Sequence, residues 1–190
     1  MYTIYSGSLH PDDLVLNPKE AALRLGVPAD KVSQWSEDCI RILKTAMQPK
    51  YCYFKTTLDT THLSSKDLCK NLTDCTDVYV MAMTLGLETD RLIAKTGITS
   101  PAKAYLLDAL ASAYAESLAD AVSAHIHGQL PQGFILRPRY SPGYGDLPLS
   151  VQPKLLEALQ GQKYLGITLG NNLLMTPRKS ITALQGVKPI

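Results

Sequence analysis

The chain lacks the cysteine spacing that a disulfide framework or a zinc site requires. Its four cysteines, Cys39, Cys52, Cys69 and Cys75, form no C-x-x-C pair, and its four histidines are scattered. The expected state is four free thiols in a reducing compartment, with no metal. A long apolar run is also missing: the longest, Val78 to Leu87, is about half of the roughly 20 residues a membrane span needs. Nor is there an excess of basic charge. Nineteen Lys and Arg against 17 Asp and Glu leave a net charge of +2, too little for a face that would hold a phosphate backbone. Met1-Tyr2-Thr3-Ile4-Tyr5 has no basic signal-peptide region and runs straight into His10-Pro11-Asp12-Asp13. These absences set the expectation of a cytoplasmic protein that engages neither nucleic acid nor membrane.

Catalytic templates are absent as well. No G-x-S-x-G elbow, P-loop, H-E-x-x-H or G-x-G-x-x-G loop occurs. His125-Ile126-His127 spaces two imidazoles two residues apart, about 200° around a helix, so they cannot share a metal there. A solvated helix end is the expectation. No residue is assigned a catalytic role.

What remains is a good core-former. At 190 residues, 45% hydrophobic and 19% charged, the chain is expected to form one domain over 1–190. Asn17-Pro18 predicts a helix start, with an Asn cap and Pro at the first helical position; the helix Lys19–Leu25 ends at Gly26. A second helix begins near Pro28 and carries Val32, Trp35, Cys39, Ile40, Leu43 and Met47 as one stripe until Pro49. These make 1–50 a helical N-terminal region. Tyr51–Thr57 is aromatic and β-branched and reads as a strand, Asp77–Gly86 as a buried strand closing on glycine, and Glu88–Lys95 as a short helix.

Ser100-Pro101 opens the longest predicted helix, running to His127 and near 40 Å long at 1.5 Å per residue, with Gly128 ending it. Ala102, Ala109, Ala113, Ala115, Ala119 and Ala124 would let it lie close against a sheet at the domain centre. Phe134 to Asp146 reads as a strand passing into a loop, and Val151–Leu159 as a helix started by Ser150. Leu165–Leu169, Leu173–Thr176 and Ser180–Leu184 follow as short segments broken by hairpin turns at Gly170-Asn171-Asn172 and Pro177-Arg178-Lys179. The predicted class is α+β: helices first, then a strand-rich end, with the long Ala-rich helix packed on a mostly antiparallel twisted sheet.

The loop Arg137-Pro138-Arg139-Tyr140-Ser141-Pro142-Gly143-Tyr144 is chemically the richest stretch. Two prolines stiffen it, Gly143 allows close backbone approach, Arg139 offers a planar fork for a carboxylate, and Tyr140 and Tyr144 offer ring faces. That set suits a small zwitterion bearing an aromatic ring. It equally suits a structural loop whose arginine sits on a surface carboxylate.

Arg139-Tyr140-Ser141-Pro142-Gly143-Tyr144 resembles the adenosylmethionine-binding loop of the C-terminal activation (reactivation) domain of cobalamin-dependent methionine synthase, whose pattern is Arg, two residues, Pro-Gly-Tyr. Ala111 to Asp120 resembles the family's small-residue helix with its ligand-facing glutamate, here Glu116. Leu155–Leu159, Leu165-Gly166-Ile167 and the Met-x-Pro-x-x-Ser segment from Met175 to Ser180 follow in the family's order. The resemblance covers residues 77–187.

It implies an accessory activation component rather than a self-contained enzyme. S-Adenosylmethionine (AdoMet) would be bound by Arg139, Tyr140, Pro142, Gly143, Tyr144 and Glu116, with Arg139 on the methionine carboxylate and Glu116 near the ammonium or sulfonium. Glu116 read by itself is an ordinary helix glutamate, and Tyr144 read by itself packs the loop. The methyl acceptor, cob(II)alamin awaiting reductive methylation, would come on the cobalamin-binding domain of a separate methionine synthase or related corrinoid protein, because no D-x-H-x-x-G motif occurs in this sequence. A flavodoxin-like electron donor is the second implied partner.

Three features depart from the family. Gly145-Asp146-Leu147-Pro148 replaces its Pro, small residue and Cys-Pro; its Tyr-Tyr pair has no counterpart before Ile190; and its N-terminal aspartate is left open among Asp12, Asp13 and Asp59. The alternative function is a non-catalytic interaction module of the same fold that has lost AdoMet binding. An independent small-molecule methyltransferase is a third and weaker reading, because no general base is visible.

Overall fold

A computed structural model describes residues 2–57 and 65–190, with the side chains of 33–36 left aside. Asp59 and the side chain of Trp35 therefore lie outside the described residues. In chain order the elements are β1 (Tyr5–Ser8), α1 (Pro18–Leu25), α2 (Ala29–Ala46), β2 (Lys50–Thr57), α3 (Lys66–Asn71), β3 (Asp77–Thr84), α4 (Leu87–Thr99) and α5 (Pro101–His127). Then come β4 (Phe134–Leu136), α6 (Gln152–Ala158), α7 (Gly161–Leu165), β5 (Thr168–Leu169), β6 (Met175–Thr176) and β7 (Ser180–Pro189).

The first helices form where the local chemistry directs. Asn17 accepts a hydrogen bond from the Lys19 N–H, Pro18 sits in the first turn, and Gly26 closes α1 in the left-handed conformation at φ 66°. Two other expected caps fail. Ser100 occupies the start of α5 without a capping side-chain bond, and Ser150 lies inside a 3₁₀ turn, Leu149–Val151, preceded by Pro148. At α5 the first turn holds Pro101, which has no N–H to satisfy.

Five strands make the main sheet, in the order β1-β2-β3-β7-β4, and every pairing in it is antiparallel. The class is α+β as expected, but the strands are not gathered at the end of the chain. The last strand, β7, inserts beside β3, with Thr84 opposite Ser180 and Asp77 opposite Val187. It is ten residues long, twice the expected Ser180–Leu184. Pro177-Arg178-Lys179 is consequently a crossover into the main sheet rather than a hairpin turn; only the Gly170-Asn171-Asn172 break joins a hairpin, β5–β6. The sequence reading also passed over β1, α3 and α7, and α4 runs on to Thr99 through Gly97.

Period-two alternation gives the sheet two buried faces. Tyr53, Tyr79, Met81, Met83, Ala183 and Val187 face α5, α1 and α2. Cys52, Phe54, Val80, Ala82 and Leu184 face a second core closed by α3, α6 and α7. The long helix is central, as its small residues imply: Ala109, Ala113, Ala115 and Ala119 are buried, although Ala102 and Ala124 face solvent. Among the described residues, Cys39, Cys52 and Cys75 are free thiols. Burial pushes the Cys52 thiol up to about 12, so it is an inert core residue.

Candidate functional site

The site grows out of an interrupted strand. β4 pairs with β7 through Leu136 opposite Val187, and the Arg137 N–H still reaches the Gly186 carbonyl at 2.9 Å. Pro138 has no N–H to continue the ladder. Pairing resumes once, at Tyr140 opposite Leu184, with both hydrogen bonds at 2.8 Å. Three residues, Arg137 to Arg139, thus oppose two, Gln185 and Gly186, which is a β-bulge. The extra residue resets the alternation. Leu136 and Arg139 both point toward α5, while Tyr140 turns to the opposite core. Beyond Tyr140 the chain leaves β7, and a groove opens between α5, the first residues of β7 and the 141–147 loop.

That loop is tied by its own backbone. The Tyr144 N–H donates to Ser141 O at 3.2 Å, Gly143 to Leu147 O at 2.8 Å, and Leu147 to Tyr144 O at 3.0 Å. Gly143 has φ 92° and Gly145 φ 51°. At Gly145 a Cβ would fall 2.3 Å from the Tyr140 hydroxyl and 2.4 Å from Asp67 Oδ2, so any side chain there would have to displace both groups. Tyr140 donates from its hydroxyl to Tyr144 O at 3.2 Å. Its own desolvation, then Asp67 and Asp146, push that hydroxyl above its ordinary range, so it stays protonated and remains a donor.

The departure Gly145-Asp146 has a structural purpose. The Asp146 carboxylate accepts from the backbone N–H of Lys66 at 2.7 Å and of Asp67 at 3.2 Å, and from the Ser65 hydroxyl. It therefore clamps the loop to the start of α3, and these bonds hold its carboxyl below the usual range, the Ser65 bond foremost. The sign follows from the depressed pKa: the stabilisation is present above the unfolded value near 3.9 and is lost as pH falls through the lower folded pKa. Asp146→Asn is expected to melt below wild type at pH 7, with the gap closing toward pH 2. A gap that persists unchanged in thermal melts at low pH would assign the loss to packing instead.

Two adjoining cavities occupy the groove, of about 410 and 610 Å³, within the roughly 300–1,000 Å³ range of small-molecule sites. Glu116, Ser141, Tyr144 and Ile181 line both. Of the expected residues, Pro142 lines the first, Arg139 and Tyr140 the second, and Gly143 neither; it holds the turn. Tyr144 is 65% exposed, so its ring stands over the groove and does not pack the loop.

Glu116 is more than an ordinary helix glutamate. It lies 3.3 Å from Arg139 and 3.9 Å from Arg24, and Arg24 is in turn paired with Glu20. Arg139 also donates to Asp120 at 2.8 Å and to the Ser123 hydroxyl at 3.2 Å. Asp120 and Ser123 were missed, although positions 116, 120 and 123 share one helix face and could have been read as a set. Arg178, Leu174, Met175 and the buried Gln152–Thr182 pair, joined at 3.0 Å, complete the first cavity and were also missed. Asp12 pairs with Lys44 at 3.0 Å, and neither it nor Asp13 lines the groove. His125 and His127 end α5 exposed, and no metal-ligand cluster occurs among the described residues. No helix described is long and apolar enough to cross a membrane.

No protein-family model matches the sequence, and a search of curated proteins returns no match. Among solved structures, the MetH reactivation domain bound to AdoHcy superposes on 98% of this chain and 79% of its own length, with a TM-score of 0.71 at 13% identity. The chain has the MetH reactivation-domain fold. At that identity the likeness establishes architecture, which here includes the long central helix and the curled sheet around it. What the groove binds has to be argued from its own residues.

Proposed function

We propose that the groove binds AdoMet and that the protein supports reductive methylation of a corrinoid carried by a partner. The observation that carries this reading is the bulge at Arg137–Arg139. It sets Arg139 against Glu116 beneath the Pro-Gly-Tyr loop, on a fold whose solved representative holds AdoHcy, the product left when AdoMet gives up its methyl group. Around Arg139 and Arg24 stand three carboxylates, Glu20, Glu116 and Asp120, so this wall is acidic and complements a sulfonium or ammonium. Tyr144 offers a ring face to an adenine.

In that role the bound sulfonium supplies the methyl group. A partner's corrinoid, once reduced by one electron from a flavodoxin-like donor, would be the acceptor, and AdoHcy would be left in the groove. The chain's own residues need only bind and orient, which agrees with the absence of an acid–base constellation. The partner would be a cobalamin-binding domain of methionine synthase or a related corrinoid protein.

One observation favours the alternative of an interaction module without ligand. Arg139 has Asp120, Ser123 and Glu116 as partners within the chain itself. Calorimetric titration decides between them. AdoMet and AdoHcy are expected to bind with Kd of order 1 µM, about −8 kcal/mol. A folded protein that gives no heat with either would overturn the reading.

A further inference from the structure

Arg139 is poorly placed to receive an anion. Its Nη1 already donates to Asp120 Oδ1 at 2.8 Å and Ser123 Oγ at 3.2 Å, and its Nη2 to Glu116 Oε2 at 3.3 Å. A ligand carboxylate arriving there would be set beside two protein carboxylates. Like charges at such separations repel most where water is partly excluded.

Arg178 offers a different environment. It lines the first cavity, which Arg139 does not, and Arg139 lines the second, which Arg178 does not. Glu116 borders both. The Arg178 side chain has no ion-pair partner among the described residues, and the two nearby acids bond other groups than its guanidinium. Asp90 accepts the backbone N–H of Arg178 at 2.6 Å, and Asp108 pairs with Lys179 at 2.8 Å. Those same contacts fix the backbone from which Arg178 projects. Lys179 is 8% exposed, and its carbonyl accepts the Leu85 N–H at 2.9 Å. The groove therefore presents an unneutralised planar cation at one end and an acidic wall at Glu116.

Building on the AdoMet reading of this groove, we infer that Arg178 receives the ligand's carboxylate, while Arg139 positions Glu116 and Asp120 against its cationic centre. A guanidinium is suited to this because its paired N–H groups match both oxygens of a carboxylate. This assigns carboxylate selectivity to the crossover between β6 and β7, outside the Arg-x-x-Pro-Gly-Tyr motif.

The test titrates the full chain and its Arg178→Ala, Arg178→Gln and Arg139→Ala variants with AdoMet. Decarboxylated AdoMet, which keeps the sulfonium and the amine, is titrated in parallel. Both Arg178 variants are expected to weaken AdoMet about 10- to 100-fold, the loss of one charge-assisted contact, and to leave decarboxylated AdoMet within about twofold. Arg139→Ala should weaken both ligands alike. Arg178 variants that bind AdoMet as wild type does, or lose both ligands equally, would overturn the assignment while leaving the site standing. Wild-type protein that binds neither ligand would overturn the AdoMet reading itself, and this assignment with it.

Discussion

Glu116→Lys is expected to remove measurable AdoMet binding, with affinity falling at least about a hundredfold, equivalent to roughly 3 kcal/mol. Glu116 borders both cavities and is the acid shared by Arg24 and Arg139. Replacing it subtracts a charge-assisted contact to the ligand's cation, worth about 1.5–3 kcal/mol. It also adds a third cation beside two existing ones, so the groove wall changes from attracting a sulfonium to repelling it. Glu116→Gln separates these effects, because it deletes the charge and keeps the shape. The paired ligands then locate the contact. If Glu116 faces the sulfonium, Glu116→Gln weakens AdoMet more than AdoHcy, whose sulfur is neutral; if it faces the ammonium, both weaken alike. Calorimetry on the three proteins reads both quantities. Wild-type affinity in Glu116→Lys would mean that AdoMet binds elsewhere.

The parts of this molecule legible in its sequence are those governed by neighbours in the chain. The Asn17-Pro18 start, the Gly26 stop, the stripe of α2 and the 27-residue span of α5 follow from capping, periodicity and proline, all local. β2 and β3 were equally visible because both of their faces are buried in apolar cores. The position of β7 was not. Its ten residues include Ser180, Thr182, Gln185, Gly186 and Lys188, a weak apolar pattern whose logic is tertiary. Thr182 is matched to Gln152 and Gln185 to Ser123, while Gly186 lies where a Cβ would meet Cys75 Sγ at 2.5 Å.

The site divides in the same way. Arg139, Tyr144 and Glu116 were found because a contiguous motif and a helix face carry them. Asp120 and Ser123 depend on the bulge that aims Arg139 at α5, and Arg178 depends on where the crossover enters the sheet. Both are long-range facts. Pro138, which has no N–H to continue a ladder, is the one local clue to the bulge.

Lys179→Ala is expected to be the most destabilising single change near the groove, lowering stability by about 3 kcal/mol, the low end for breaking a buried pair. The ammonium is 2.8 Å from Asp108 Oδ1 and 2.9 Å from Ser112 Oγ, and so ties the beginning of β7 to α5. Its removal leaves Asp108, 39% exposed, to be rehydrated, and it leaves a cavity where the buried stem had packed. For a domain of this size the midpoint of thermal unfolding should fall by roughly 6–12 °C. Lys179→Met keeps the stem but also leaves Asp108 unpaired, so it should recover only the packing part of that loss. A Met variant as unstable as the Ala variant would mean that the ion pair, and not the packing, dominates. Because the Lys179 carbonyl also anchors the end of β3 through Leu85, loosening this residue frees the neighbouring Arg178. Lys179→Ala should therefore weaken AdoMet without touching the groove lining, while decarboxylated AdoMet binds as before.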